Sequence, residues 1–229
     1  MISTPLKADC PVWQAIVADP PDADFATRLD AAHVYVDAAR TRAITVDDIC
    51  HCHRTLFEAI APVSCRYYAG NFRQFNIAMP CLCQNVEVLD KAGKYVGIGE
   101  HFMHAKDRMQ ALCTEAQSAL PEIANRFAKA KPAERANIAA KFVSWIVAEA
   151  IKIHPFIDGN GRTSRLLWRW GFRYFGVGPQ VRTFPRPGGR YEAVMACAMR
   201  GDTNPLRKYL LEYLRDCFKP DAATPPPTN

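Results

Sequence analysis

The stretch between Ile138 and Ile153 constrains this chain more than any other. Its polar residues are Lys141, Ser144, Glu149 and Lys152, which share one narrow face at helical spacing, and everything else is apolar. Such a segment is stable only as a central helix covered on most sides. It stops at His154, because Pro155 disfavours the right-handed helical conformation in the residue before it. The densest polar run of the sequence follows at once: His154-Pro155-Phe156-Ile157-Asp158-Gly159-Asn160-Gly161-Arg162-Thr163-Ser164-Arg165. A second strongly apolar helix resumes after it. The fold therefore presents these polar groups from a rigid scaffold at a helix N-terminus, a position that binds anions.

Each residue type in the run has a chemical reading. Phe156 anchors the loop in the core. Gly159 and Gly161 permit backbone angles closed to other residues, so successive N–H groups can converge into a nest for phosphate oxygens. Arg162 and Arg165, three apart near the first helical turn, share a face and suit a polyphosphate better than a single carboxylate. Asp158 is the one carboxylate among them and reads as a ligand for Mg²⁺, which takes one or two carboxylates together with phosphate oxygens. His154 is the group that accepts a proton near neutral pH, and so the candidate base for an incoming hydroxyl. Blander readings exist for each alone: a satisfied histidine, an ordinary Gly-Asn-Gly turn, an aspartate capping the helix. Arg169 and Arg173 continue the arginine stripe beyond any ligand and read as a solvated or salt-bridged face.

Around this segment the pattern is mainly helical, with helices expected at about 24–41, 46–60, 99–119, 121–130, 133–153, 162–175, 190–200 and 205–218. Thr45 with Asp48 forms a capping-box pattern, Asn204 precedes Pro205 at a first helical position, and Pro132 opens the long helix. Residues 72–98 differ: Phe75, Ile77, Val86, Val88, Tyr95 and Val96 favour strands, and residues 90–93 read as a turn, giving a small β-hairpin. The 229 residues make one domain over 23–218, between a Pro-rich arm at 1–22 and a Pro-rich tail at 219–229, both expected to be poorly ordered.

Charge and cysteines narrow the functional classes. The net charge of +6 is dispersed, with no basic block, so nucleic acid is not an expected partner. No apolar window is long enough for a membrane span or a cleaved signal peptide, which points to the cytosol or to secretion without such a signal. Nine cysteines in this context read as reduced thiols. The pairs Cys50/Cys52 and Cys81/Cys83, near His51 and His53, leave a zinc site open as the weaker alternative. A Walker-type Gly-Lys-Ser/Thr sequence and a three-glycine dinucleotide fingerprint are both missing.

The run from His154 to Arg165 resembles the signature of the Fic family, His-Pro-Phe-x-[Asp/Glu]-Gly-Asn-Gly-Arg-x-x-Arg, and every specified position matches. Gly70-Asn71-Phe72-Arg73 with Phe75 to Met79 looks like the lead-in to that family's flap. Tyr191 to Val194, through Pro205-Leu206, looks like its last core helices beside the nucleotide base. The likeness covers about residues 45–218 and implies a helical bundle with a small β-hairpin flap over the active-site loop.

The resemblance further implies a protein adenylyltransferase that uses Mg²⁺ and ATP to place AMP on a Tyr, Thr or Ser hydroxyl. His154 would be the base and Asp158 the metal ligand. Phe156, Gly159, Asn160, Gly161, Arg162, Arg165 and Tyr191 would bind the nucleotide, and a target protein would lie extended along Phe75 to Gln84. UTP, GTP or a phosphocholine carrier as donor, and a non-catalytic adaptor, are the alternatives. Gly161 disfavours the kinase variant of the loop, which carries Lys there. No Glu is followed by Gly or Asn, so the self-inhibitory Glu motif of many relatives is missing, which implies either an intrinsically active enzyme or a separate inhibitor protein as partner. Met199 stands where some relatives place an Asn near the ribose, which leaves the nucleotide open.

Overall fold

The computed structural model describes residue 10 and residues 24–89, 95–177 and 189–217. The expected disorder at 1–22 and 219–229 and the turn at 90–93 lie outside the described residues, Cys10 aside. Helix α1 (Phe25–Ala38) runs into a 3₁₀ turn (Ala39–Thr41), and α2 (Val46–Phe57) into another (Glu58–Ile60). Two further 3₁₀ segments, Val63–Tyr68 and Pro80–Leu82, lead to an antiparallel pair, β1 (Glu87–Leu89) and β2 (Tyr95–Ile98). Then come α3 (Phe102–Lys129), α4 (Pro132–Ile153), α5 (Asn160–Tyr174), α6 (Gly189–Met199) and α7 (Asn204–Cys217). The fold is mainly helical with one small hairpin, as the sequence leads one to expect.

Helix α4 is the axis, packed against α3, α5, α6 and α7. Ala139, Ala140, Val143, Val147 and Ala148 are fully buried along it. Its two polar exceptions at the edge, Glu149 and Lys152, pair with each other. Pro132 occupies the first turn, where its missing N–H costs nothing.

The α1–α2 corner is fixed by Asp48. Thr45 Oγ1 accepts from the Asp48 N–H (3.2 Å) while the Asp48 carboxylate accepts from the Thr45 N–H (2.8 Å), completing the capping box. The same carboxylate takes Arg42 in a two-pronged pair (2.6 and 2.7 Å) and the Tyr35 hydroxyl (2.8 Å). Burial opposes its ionisation, but these donors outweigh it and hold the carboxyl well below the usual carboxylate range.

Three expectations need correction. Residues 102–129 form one helix, not two: Pro121 lies inside it on the exposed face, where water can satisfy the carbonyl that proline leaves without a donor. Leu112, Ala116 and Leu120 keep the buried stripe continuous up to it. Phe75 to Met79 is not a strand, and the hairpin is confined to residues 87–98. The segment instead folds around the Cys83 thiol, which accepts from the Asn76 N–H (3.2 Å) and donates to the Gln74 carbonyl (3.3 Å). Finally, the thiols are not all reduced. Cys10 and Cys81 form a disulfide across 71 residues, a pairing no local spacing announces. Cys50, Cys52 and Cys113 stay free, and burial pushes each up to about 12, as for small apolar residues.

Among the described residues, no group of three or more His, Cys, Asp or Glu side chains is placed to hold a metal, and no helix is long and apolar enough to cross a membrane.

Candidate active site

His154 ends α4 in the left-handed conformation (φ 50, ψ 58), and no other non-glycine residue described has positive φ. Pro155 closes the right-handed option, and a left-handed C-cap turns the chain sharply out of the helix. The imidazole Nδ1 lies 3.3 Å from the Ile151 carbonyl, which can only accept, so Nδ1 carries the proton and Nε2 keeps its lone pair. Burial, reinforced by the positive charge of Arg73, pushes the ring's pKa down to about 4. At neutral pH this histidine is a free base.

The loop after it is closed from inside. Phe156 is fully buried, stacked on the His53 ring (3.8 Å between centroids) and edge-on to Phe72. Asn160 turns its carboxamide back onto that residue: Oδ1 accepts from the Phe156 N–H and Nδ2 donates to the Phe156 carbonyl, both at 2.9 Å. His53 is the second internal strut. Its Nδ1 accepts from the Gly70 N–H (3.0 Å), so its proton sits on Nε2 and is donated to the Asp158 carbonyl (3.0 Å). Burial drives this histidine down to about 3, and it stays neutral.

Gly159 caps α5 at φ 78, and a Cβ there would stand 2.4 Å from the Phe57 ring, so both backbone angle and space demand glycine. Gly161 differs from expectation: it lies inside α5, and a Cβ on it would meet nothing nearer than the Arg165 guanidinium at 3.7 Å. The nest is therefore a helix N-terminus rather than two left-handed glycines. The first N–H groups of α5 have no acceptor within the helix and point to the loop's mouth.

The charged groups converge there. Burial raises the carboxyl of Asp158, against the Gly159 N–H and the positive charge of Arg162. Arg162 lies over the rings of Phe25 (5.3 Å) and Phe57 (5.6 Å). Arg165, one turn on, adjoins Gly161 and the buried hydroxyl of Tyr191, whose ring packs on Trp168 of α5 and on Tyr209 of α7. Arg169 is out of reach of this cluster, held in a two-pronged pair by Asp37 (2.8 and 2.7 Å), with Arg173 on the same carboxylate. The structure brings Asp158 next to Arg162 and Arg165 next to Tyr191, while His154 ends the helix that leads into the same loop. It assigns Phe156 and the Asn160 side chain to holding the loop's shape.

Two contributors were not assigned a role from sequence. His53 is one residue of an amphipathic helix, and nothing in its spacing marks it as a strut. Arg73 is fully buried under the hairpin, where its guanidinium meets backbone carbonyls from three separate segments. Only its place at the flap lead-in hinted at importance.

Residues 43–170 match the model of the Fic/DOC family. In fold, the chain is similar to a Fic domain containing signaling protein from Bacteroides thetaiotaomicron, with a TM-score of 0.59 at 15% identity, over 83% of this chain and 69% of that one. It is likewise similar to Fic-1 (aa134–508) from C. elegans, with a TM-score of 0.52 at 21% identity, over 89% of this chain and 52% of that one. At these identities the likeness is one of fold, and this chain spans about half the length of the C. elegans protein segment.

Proposed function

The chain belongs to the Fic/DOC family, and from that premise we propose that it transfers a nucleoside monophosphate, AMP from ATP first among the donors, onto a hydroxyl side chain of another protein. The observation that carries this reading is the fixed tautomer of His154: Nδ1–H is engaged by Ile151, and Nε2 is left as a base on the residue that opens the loop into α5, the helix that carries Arg162 and Arg165.

In the step proposed, the target's Ser, Thr or Tyr hydroxyl gives its proton to His154 Nε2. The oxygen forms a bond to the α-phosphorus while the bond from that phosphorus to the bridging oxygen breaks, and pyrophosphate leaves with the electron pair. A base at about 4 is weak by itself, but an arriving polyanion stabilises the imidazolium and strengthens it. Arg162, Arg165 and the first N–H groups of α5 neutralise the phosphates, as a reaction limited by in-line positioning and charge requires. Asp158 would hold Mg²⁺, since a carboxyl raised by burial gains from a cation, and the ion would supply further charge neutralisation at the phosphates. No Glu in the sequence is followed by Gly or Asn, and on that ground we read the enzyme as intrinsically active or restrained by a separate protein.

The test is incubation with Mg²⁺ and each NTP in turn, alone and in a lysate, read by intact-protein and peptide mass spectrometry. We expect a mass gain of one nucleoside monophosphate, which also identifies the nucleotide, falling by about 10²- to 10⁴-fold in His154→Ala. An adduct that persists at full rate in that variant refutes His154 as the base. Binding of ATP with no adduct from any NTP sets aside nucleotidyl transfer in favour of another donor or a non-catalytic role.

A further inference from the structure

We infer that Arg73 is a positioning residue, which sets His154 for reaction by tying that residue's backbone to both roots of the β-hairpin. Its Nε donates to the His154 carbonyl (2.8 Å) and its Nη2 to the Ile153 carbonyl (2.9 Å), the last carbonyls of α4. Nη1 donates to the Gln84 carbonyl (3.2 Å), just before β1, and Nη2 also to the Glu100 carbonyl (2.7 Å), just after β2. Its own N–H donates to the Pro155 carbonyl (2.7 Å), on the far side of His154. The side chain is fully buried.

Four of the five guanidinium N–H positions are thereby used on carbonyls that no single secondary-structure element could satisfy. Those of Ile153 and His154 are orphaned by the left-handed turn that presents the base. A buried cation without a carboxylate bonded to it is costly, and four short carbonyl contacts are what hold it. Lysine has no substitute geometry, since its three N–H groups radiate from one point.

The same contacts bring the hairpin against the base. Glu100 N–H donates to the Ile153 carbonyl (3.1 Å), and a Cβ on Gly99 would stand 2.6 Å from the Cβ of His154. The exposed apolar side chains of Tyr95 and Ile98 lie on the strand that ends there. A partner lying on the hairpin is therefore registered to Nε2 through Arg73. The charged groups near the ring are Arg73 and, behind it, Glu100, and burial leaves Arg73 at about 10, so it is cationic wherever the enzyme works.

This inference rests on reading His154 as the base, and the experiment separates the two. Arg73→Met and Arg73→Lys are compared with the wild type in kcat, in ATP dissociation constant by calorimetry, and in the NMR titration of ¹⁵N-labelled His154. We expect kcat to fall about 10²-fold in both variants, the cost of a base displaced by a fraction of an ångström to an ångström, with ATP affinity within about twofold. In Arg73→Met the His154 midpoint should rise above about 4 but stay below its ordinary value, because the neighbouring positive charge is gone while burial, the larger cause, remains. In Arg73→Lys it should stay low while kcat remains depressed, which assigns the loss to geometry.

An unchanged kcat in either variant, or a loss carried wholly by ATP affinity, overturns the inference. Should Arg73→Met not fold, the Lys variant's kcat and ATP affinity decide alone. Should the wild-type chain transfer no nucleotide, the titration decides: a midpoint unmoved in Arg73→Met overturns the positioning role, and one that rises sustains it while the proposed function fails.

Discussion

The Asn160 carboxamide spends both of its hydrogen-bonding ends on the backbone of Phe156. This gives a sequence-predicted ligand residue a structural duty as well, since a side chain engaged by its own loop shapes the site. Removing the carboxamide leaves a buried N–H and a buried carbonyl unpaired, at about 1–3 kcal/mol for each. Asn160→Ala should therefore lower the stability by about 2–4 kcal/mol in denaturant unfolding and weaken ATP binding in calorimetry. If its stability is that of the wild type, the loop does not depend on this contact. The neighbouring glycines show how residue-level reading can be half right. Gly159 is glycine for its backbone angle and for the Phe57 ring, whereas Gly161 is helical and a Cβ there would make only ordinary contact with the Arg165 guanidinium.

At the level of elements, the corner between α1 and α2 turns on one carboxylate. Asp48→Asn keeps the shape but gives up the charge that draws Arg42, Tyr35 and the Thr45 N–H together. Because Arg42 is half exposed, solvent discounts the ion pair, and we expect a loss of about 2 kcal/mol, measured by urea unfolding. A loss under about 0.5 kcal/mol would show that the cap alone holds the corner. Thr45-Val46-Asp47-Asp48 announced this cap because its partners are three residues apart, and Ile138 to Ile153 announced the axis because its period is local. What the sequence could not announce depends on distant partners. Pro121 continues a helix because it sits on the wet side of α3, and Phe75 to Met79 gives up a strand pattern to wrap the Cys83 thiol. The mouth of the site was legible as a run of residue types. The struts behind it were not, because His53 lies 105 residues before its loop partner Asp158 and Arg73 lies 81 residues before His154.

For the molecule as a whole, the buried histidines set the response to acid. His53 is held neutral at about 3, and His33, desolvated and facing Arg169, at about 4, against an ordinary value of 6.5. The unfolded chain binds these protons as pH falls through 6.5 and the folded chain does not, so stability is full above that value and declines below it. His53 alone contributes a slope of about 1.4 kcal/mol per pH unit, with His33 adding to it. Urea unfolding at stepped pH should show stability falling between pH 6.5 and 4, with uptake approaching three protons on unfolding, since His154 is depressed in the same way. His53→Gln should flatten that slope. A flat profile in the wild type would mean that these rings reach solvent in the folded state.

The loop closed from within by Asn160, Phe156 and His53 also has a consequence for recognition. Its conformational entropy is lost when the chain folds and not when a ligand arrives, so a triphosphate meets a surface that needs no rearrangement. Every nucleoside triphosphate carries the same phosphates, and a rigid cradle treats them alike. Under the proposed nucleotidyl transfer, discrimination among donors then falls to side chains outside this loop.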